Sequence, residues 1–350
     1  MSGEVTGNKL SHFLKYLQAA VLIALLMYFG KALLVPMFFG LLTAMVMYPV
    51  CKWLEQHHFT RSIAIFICLL IVGMLALLLL ALLGWQISML RQDMPDILQK
   101  LRPLLPQVQN WLLEHFSVSL DLQNEWMHNI LQQLQGHSGS WIGATINTTA
   151  ATLFSLFIIP VHVALFLYHR GTFVRALNKF AGERYRIRLN IVLKEVIHTY
   201  FNYIKGMIMV YIIVGILNSI GLLALGIRHA VLFGMLTAVM TIIPYAGIII
   251  SASIPVSIAL ITKDSAWYAI GVIGVFSFVQ YLEANVIFPK VVGTQLNVST
   301  WMTLVAIIAG GIVWGVAGMV LFIPFLAMLK LVTDHIRGLD ALNVLLSRDE

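Results

Sequence analysis

The feature that most constrains this chain is a series of long apolar stretches without a charged side chain. One of them, Ser62–Leu90, exceeds the roughly 20 residues that a helix needs to cross the hydrocarbon core of a bilayer. Lipid offers the backbone no hydrogen-bond partner, so a continuous apolar stretch of this length has to be a helix. The stretches are far longer than the ~10 residues of a barrel strand, and strand-type alternation is absent. We therefore predict an all-α, polytopic membrane protein.

The apolar stretches predict about eight transmembrane helices if each crosses the bilayer once. Their ranges are Tyr16–Gly30, Ala32–Cys51, Ser62–Leu90, Trp141–His169, Gly206–Ile227, His229–Thr262, Ser265–Leu282 and Val291–Leu329. Two are too long for one straight crossing. His229–Thr262 is broken by Pro244 and Pro255, and Val291–Leu329 by several glycines and Pro324. The sequence leaves open whether these two cross once or are re-entrant, and therefore on which side the C-terminus lies.

The composition excludes several classes of protein. Of the 350 residues 60% are apolar and 11% are charged, whereas soluble domains average about 45–50% and 25%. This excludes a soluble enzyme, a disordered chain and a nucleic-acid-binding protein, and the net charge of +7 is explained by basic loops between spans. Cys51 and Cys68 are not in a C-x-x-C motif and predict neither a disulfide framework nor a metal site. We expect no enzyme activity, no cofactor and no bound metal.

Two polar connecting segments set the predicted orientation. Residues 91–140 have a helical amphipathic pattern and carry three basic against five acidic side chains. Residues 170–205 carry eight basic against two acidic side chains along an apolar stripe, a pattern typical of a helix on a membrane surface or under a bundle. By the positive-inside rule the 170–205 segment and the 52–61 loop are cytoplasmic, as is the N-terminus, and the 91–140 segment lies outside.

These boundaries divide the chain into six predicted parts. The predicted partner of the membrane-spanning parts is the lipid bilayer. The parts are transmembrane helices 1–3 (1–90), an extracytoplasmic amphipathic segment (91–140), transmembrane helix 4 (141–169), a basic cytoplasmic amphipathic helix (170–205), a bundle with broken helices (206–331) and a cytoplasmic tail (332–350).

One acidic residue, Glu283, lies directly against an apolar span, whereas the others fall in tails or polar loops. An ionisable group at membrane depth costs about 2.5–3.5 kcal/mol on insertion scales, so it is a candidate for function. In the alternative interpretation Glu283 marks the membrane interface and pairs with Lys290 or Lys263.

The other polar residues in the spans carry weaker signals. His162 is a candidate proton relay, because histidine titrates near neutral pH, or it donates to a neighbouring helix carbonyl. Asn218, Ser219 and Gln280 are typical interhelical hydrogen-bond partners. No G-x-x-x-x-G-K-[ST], H-E-x-x-H or G-x-S-x-G motif is present, so the chain has no P-loop ATPase site. Pairs of broken helices, here around Pro244 and Pro324, are typical of transporter binding sites, although Gly and Pro are also common in ordinary spans.

Three motifs in the C-terminal half resemble the autoinducer-2 exporter family of bacterial inner-membrane permeases. They are a P-x-x-G motif (Pro244, Gly247), an E-x-N-x-x-x-P-[KR]-x-x-G motif (Glu283, Asn285, Pro289, Lys290, Gly293) and a G-x-x-G-x-x-x-x-x-P motif (Gly315, Gly318, Pro324). The resemblance covers nearly the whole chain. It implies a homo-oligomer in the inner membrane that exports autoinducer-2, a small polar signalling molecule, or exchanges sodium for protons. Some members carry an acidic residue where this chain has Phe288, which weakens the transfer of a two-carboxylate cation site.

Three functions follow from these observations. The first is a secondary exporter of a small polar metabolite, whose predicted substrate or ion site comprises Gln280, Glu283, Asn285, Pro289, Lys290 and Gly293, together with Pro244, Tyr245, Gly247, Gly315, Gly318 and Pro324 at the broken segments. The second is a cation/proton antiporter that uses Glu283. The third is a membrane scaffold without transport, which acts through the 91–140 and 170–205 segments.

Overall fold

The computed structural model describes residues 14–15, 18–19, 21–101, 106, 113–114, 119, 157–244, 246–263, 265–292, 297–336 and 338–347. The chain divides into two compact units. Unit 1 comprises residues 1–69, 158–205 and 294–350, and unit 2 comprises residues 70–157 and 206–293. Most of the predicted 91–140 segment and the first part of the predicted span Trp141–His169 lie outside the described residues.

The described residues are almost entirely helical, which confirms the all-α prediction. The helices are α1 (Lys31–Gln56), α2 (Arg61–Leu101), α3 (Phe157–Ala181), α4 (Glu183–Ala224), α5 (Ala230–Met240), α6 (Ala246–Thr262), α7 (Trp267–Val291), α8 (Thr300–Trp314), α9 (Val316–His335) and α10 (Asp340–Leu346). A further helical stretch covers residues 21–29 and ends in a turn at Gly30. Among the described helices, six are long and apolar enough to cross a membrane: α1, α3, α4, α7, α9 and the Arg61–Leu82 part of α2.

The stretch His229–Thr262 forms a helical hairpin rather than one crossing. Phe233 of α5 and Ile258 of α6 lie in the same buried cluster, although 25 residues of straight helix would separate them by about 37 Å. The chain turns at residues 241–244, so a break is present at Pro244, as predicted. The other predicted break, at Pro255, is absent, because Pro255 lies inside α6. With 11 residues α5 is about 16 Å long, roughly half the thickness of the hydrocarbon core.

The stretch Val291–Leu329 also contains a hairpin, formed by α8 and α9. A Cβ on Gly310 would lie 2.4 Å from the carbonyl oxygen of Gly318, whereas residues eight apart in a straight helix are about 12 Å apart. The chain turns at Gly315, whose φ of 62° and ψ of −143° belong to a region that essentially only glycine adopts. Of the breaks predicted at the glycines and at Pro324, the chain reverses at Gly315. Pro324 lies inside α9, because spanning helices tolerate a missing N–H.

The basic segment 170–205 is not a separate helix. Its first part continues α3 as far as Ala181, and the chain then turns at Gly182, which has a φ of 72°. Its remainder is the start of α4, which runs on without a break through most of the predicted span Gly206–Ile227. No Gly or Pro occurs between Glu183 and Lys205, so nothing in the sequence ends the helix there.

Contacts in unit 1 bring the two basic segments to the same end of that unit. Arg170 of α3 donates to the carboxylate of Glu55 in α1 across 2.5 Å. Arg61, the first residue of α2, donates to the carbonyl oxygen of Leu167 across 3.0 Å. The 52–61 loop and the 170–205 segment, which the sequence assigns to one side of the membrane, are thus joined at one end of unit 1.

The C-terminal residues that the sequence assigns to a tail include the folded helix α10. Leu346 is fully buried, and its carbonyl oxygen accepts a hydrogen bond from the backbone N–H of Ser299 across 2.8 Å. Val298 and Ser347 form an isolated β-bridge at the same place. These contacts, within unit 1, anchor α10 to the segment that precedes α8.

Candidate functional site

Glu283 lies at an irregularity in the helix backbone of α7. The α-helix from Trp267 to Leu282 gives way to a π-helical turn over Glu283–Ile287, in which the N–H of Phe288 donates to the carbonyl oxygen of Glu283. Pro289 follows directly and has no N–H, so the preceding turn receives no hydrogen bond from it. Such π-helical turns occur frequently at functional sites.

The carboxylate of Glu283 is buried and incompletely paired. The residue is 8% exposed, and its Oε2 has no hydrogen-bond partner among the described residues. Lys263, one of the two partners considered from the sequence, lies elsewhere, with its ammonium 4.8 Å from the centre of the Tyr268 ring. Lys290, the other, is exposed. Leaving a buried carboxylate oxygen unpaired is costly, which points to a ligand that binds there.

The helix that faces Glu283 is identified by close contacts within unit 2. A Cβ on Gly221 of α4 would lie 2.4 Å from Val275 of α7, and a Cβ on Gly206 would lie 3.2 Å from the carbonyl oxygen of Val291. The later residue of α4, Gly221, contacts the earlier residue of α7, Val275, and the earlier Gly206 contacts the later Val291. The two helices therefore pack antiparallel. In this register Glu283 is level with Val214, on the stripe of α4 that also carries Gly221.

The same stripe of α4 carries a second unpaired oxygen, on Asn218. Asn218 is 2% exposed; its amide nitrogen donates to the carbonyl oxygen of Val214 across 3.1 Å, and its Oδ1 has no partner among the described residues. Asn218 stands one helical turn from Val214, which is level with Glu283. The α4–α7 interface of unit 2 therefore contains a carboxylate and an amide that both present an unpaired oxygen.

The opposite side of α4 is tightly packed against α5. A Cβ on Gly234 would lie 2.2 Å from the hydroxyl oxygen of Ser219, which donates to the carbonyl oxygens of Gly215 (2.7 Å) and Val231 (3.4 Å). The contact to Val231 crosses from α4 to α5, so the prediction that Ser219 makes an interhelical hydrogen bond is confirmed. This contact joins α4 to α5.

The residues of the E-x-N-x-x-x-P-[KR] motif do not share one face. Asn285 is exposed, and its amide donates to the carbonyl oxygen of Tyr281 across 2.9 Å. Pro289 and Lys290 are also exposed, and Gln280 is partly buried. Glu283 alone of this set points into the interior of unit 2. Gly293 and Tyr245 lie outside the described residues.

The predicted residues at the broken segments lie at turns and at close contacts between backbones. Gly247 packs against the end of α5, where a Cβ would lie 1.8 Å from the carbonyl oxygen of Met240, and Pro244 closes the preceding turn. In unit 1, Gly315 supplies the positive φ of the α8–α9 turn, and Gly318 is the close contact of Gly310. Pro324 is buried inside α9. These residues shape the two hairpins and offer no side-chain ligand.

His162 belongs to unit 1 and is occupied by a local contact. Its Nδ1 lies 2.9 Å from the carbonyl oxygen of Ile158 in its own helix. Its Cβ lies 2.4 Å from the position that a Cβ on Gly40 would take, so the histidine serves as packing surface for α1. The proton-relay role stays a prediction, and the structure gives His162 a structural contact.

Sequence reasoning passed over two buried polar residues. The sequence predicts for Asn218 only an ordinary interhelical hydrogen bond, and the signal for more is its position one helical turn from the level of Glu283 in the helix register. Lys330 of α9 is 6% exposed, and its ammonium donates to Asp334, one turn further along. The i, i+4 spacing of Lys330 and Asp334 at the end of a span was visible in the sequence.

The site offers oxygen ligands and one titratable carboxylate. In the described part of the chain, no group of three or more His, Cys, Asp or Glu side chains is placed to hold a metal ion. Glu283 and Asn218 together provide a carboxylate and an amide oxygen, which suit a proton, a hard monovalent cation or the hydroxyl groups of a polar solute.

Comparison with known proteins gives one family along nearly the whole chain. A family model described as AI-2E family transporter matches residues 17–338. YrrI and YueF of Bacillus subtilis (strain 168), both named for an expected transport role, are 23% and 26% identical; the matches cover 87% and 84% of this chain, and 87% and 82% of theirs. The AI-2 transport protein TqsA of Escherichia coli (strain K12) is 24% identical, over 91% of this chain and 90% of its own.

Proposed function

The chain belongs to the AI-2E transporter family, and from this premise we propose that it is an ion-coupled secondary transporter that exports a small polar solute such as autoinducer-2. Membership makes the chain a multi-pass transporter of the bacterial cell membrane, which argues against the scaffold interpretation. The name of the relative TqsA makes autoinducer-2 the first solute to test. The absence of a P-loop motif from the sequence points to an ion gradient or the solute gradient as the energy source.

The observation that carries the proposal is the unpaired carboxylate of Glu283 in the α4–α7 interface. A charged side chain in the hydrocarbon layer is unfavourable, and binding a proton or a cation removes that charge. A group that is charged in one state and neutral in another shifts the balance between two conformations of the protein, as coupling requires. Asn218 presents an amide oxygen in the same interface for a hydroxyl group of the solute or for a cation.

A second candidate function, cation/proton antiport, is favoured by the chemistry of the same two oxygens. Carboxylate and amide oxygens are the ligands that hard cations prefer, so Na⁺ and H⁺ would compete for Glu283. In this case no organic solute is needed for turnover.

The two functions are separated by one experiment on purified protein in sealed vesicles with an imposed pH gradient. Efflux of autoinducer-2 and the lumenal pH after addition of Na⁺, K⁺ or Li⁺ are followed for wild type, Glu283→Gln and Glu195→Gln. Glu195 is the control, because its carboxylate already pairs with His335 across 3.2 Å. We expect gradient-driven efflux to fall in Glu283→Gln by about 5–150-fold, the range of typical coupling energies, and to persist in Glu195→Gln.

The outcomes assign the function. Collapse of the pH gradient on cation addition without solute, lost in Glu283→Gln, would establish the antiporter instead. Unchanged efflux in Glu283→Gln would contradict a coupling role for this residue in either function.

A further inference from the structure

An apolar groove in unit 1 lies between the beginning of α4 and the end of α9. It has a volume of about 240 Å³, and Ala181, Leu189 and Val192 line one wall while Val332 and Ile336 line the other. Drug-sized ligands occupy pockets of about 300–1,000 Å³, so this groove suits part of an extended apolar chain rather than a whole solute. Its apolar walls offer few partners for a small polar solute.

One arginine lines the groove, and two more lie close to it along the same helix. Arg188 lines it and is exposed, and Arg184 and Arg186 are exposed on the same first turns of α4. Among the described residues, Arg188 has no ion-pair partner. The acidic side chains near the end of α9 are already used: Glu195 pairs with His335, and Asp334 accepts hydrogen bonds from Lys330 and Asn343. The cationic charge at the groove is therefore available to an anion.

The surface beside the groove also exposes large apolar side chains among its arginines. Phe180 is 90% exposed and Ile187 is 76% exposed. A helical surface that combines Arg with exposed Phe and Ile is typical of the boundary between headgroups and acyl chains. The groove lies at the C-terminal end of α9, one of the helices long enough to span, and the end of a spanning helix is at that boundary.

We propose that this groove binds an anionic phospholipid, with part of an acyl chain between α4 and α9 and the phosphate group on the guanidinium of Arg188. The apolar walls would pack against the acyl chain of the lipid. The guanidinium of Arg188 would bind the phosphate group, since guanidinium groups bind phosphate through paired hydrogen bonds. The site differs from the α4–α7 interface of unit 2 and requires no particular transported solute.

The test counts lipids bound to the purified full-length protein by native mass spectrometry, with phosphatidylglycerol or phosphatidylcholine added to the detergent solution. Arg188→Gln is compared with Arg186→Gln, which removes a neighbouring exposed charge outside the groove. Ala181→Phe fills the groove. Unfolding temperature in detergent establishes that each variant is folded.

We expect wild type to bind its first phosphatidylglycerol about fivefold more tightly than phosphatidylcholine, the factor that corresponds to about 1 kcal/mol per basic residue near an anionic surface. Arg188→Gln should remove this preference, Arg186→Gln should keep it, and Ala181→Phe should weaken the binding of both lipids. Equal losses in Arg188→Gln and Arg186→Gln would show diffuse attraction and overturn the site. Displacement of the lipid by inorganic phosphate at equal concentration would also overturn it, because an anion site without the groove would then suffice.

Discussion

At the scale of single residues, Glu283 and Asn218 stand out because each combines burial with an oxygen that has no hydrogen-bond partner in the described part of the chain. A buried polar atom without a partner costs about 1–3 kcal/mol, and packing alone gives no reason to keep two of them on facing helices. We interpret this cost as the consequence of a site that is completed by the transported ion or solute. Stability and transport should therefore respond in opposite directions when such an oxygen is removed.

The variant Asn218→Leu tests this opposition. Leucine has the same number of side-chain heavy atoms as asparagine, branched at the same carbon, and no unpaired oxygen, so we expect an unchanged or higher unfolding temperature in detergent together with a loss of gradient-driven transport. Asn202→Leu is the control, because Asn202 lies in unit 1 beside His198. A destabilised Asn218→Leu protein with normal transport would show that Asn218 is structural.

At the scale of elements, two adjacent glycines of α8 face different neighbours in the α8–α9 hairpin. A Cβ on Gly310 would collide with the backbone of Gly318 at 2.4 Å, whereas one on Gly311 would lie 2.8 Å from the terminal methyl group of Met319. A backbone cannot move aside without separating the helices, but the end of a methionine side chain can.

Substitution of these adjacent glycines by alanine should therefore have opposite effects. We expect Gly310→Ala to cost about 1–3 kcal/mol, as overpacking does, and to lower the unfolding temperature. Gly311→Ala should leave stability unchanged or raise it by up to about 1 kcal/mol, because alanine favours the helix. Thermal unfolding of both variants in one detergent measures the difference, and equal effects would show that α8 and α9 do not pack through Gly310.

At the scale of the whole molecule, hydropathy was enough to predict the helical class, since lipid leaves the backbone no alternative. The hairpins were not predictable in the same way. A long apolar stretch with Gly315 and Pro324 permits a kink or a reversal, and the choice depends on the contact between Gly310 and Gly318, which joins two helices. The charge of the basic segments predicts that the 52–61 loop and the 170–205 segment lie on one side of the membrane, which stays a prediction; Glu55 and Arg170 form a contact between the two segments in unit 1.

Only the part of the candidate site that a single residue indicates, Glu283, was predictable from the sequence. Glu283 is conspicuous because an acidic residue in an apolar helix is rare. Asn218 required the register of α4 against α7, which no local pattern contains. Asn285 shares a motif with Glu283 yet is exposed, since residues two positions apart face different sides of a helix. Lys290, seven positions on, would share the face of Glu283 in a regular α-helix, but the π-helical turn over Glu283–Ile287 changes the register between them.

The central claim is that Glu283 is a buried carboxyl that binds the coupling ion or the solute. Dicyclohexylcarbodiimide, an apolar reagent that modifies protonated carboxyls in apolar surroundings, tests it on the reconstituted protein, with labelled peptides identified by mass spectrometry. We predict that Glu283 is labelled, that Glu195 is not, and that Na⁺ or autoinducer-2 protects Glu283 from the reagent. Absence of labelling at Glu283, or labelling that neither ligand reduces, would contradict the account.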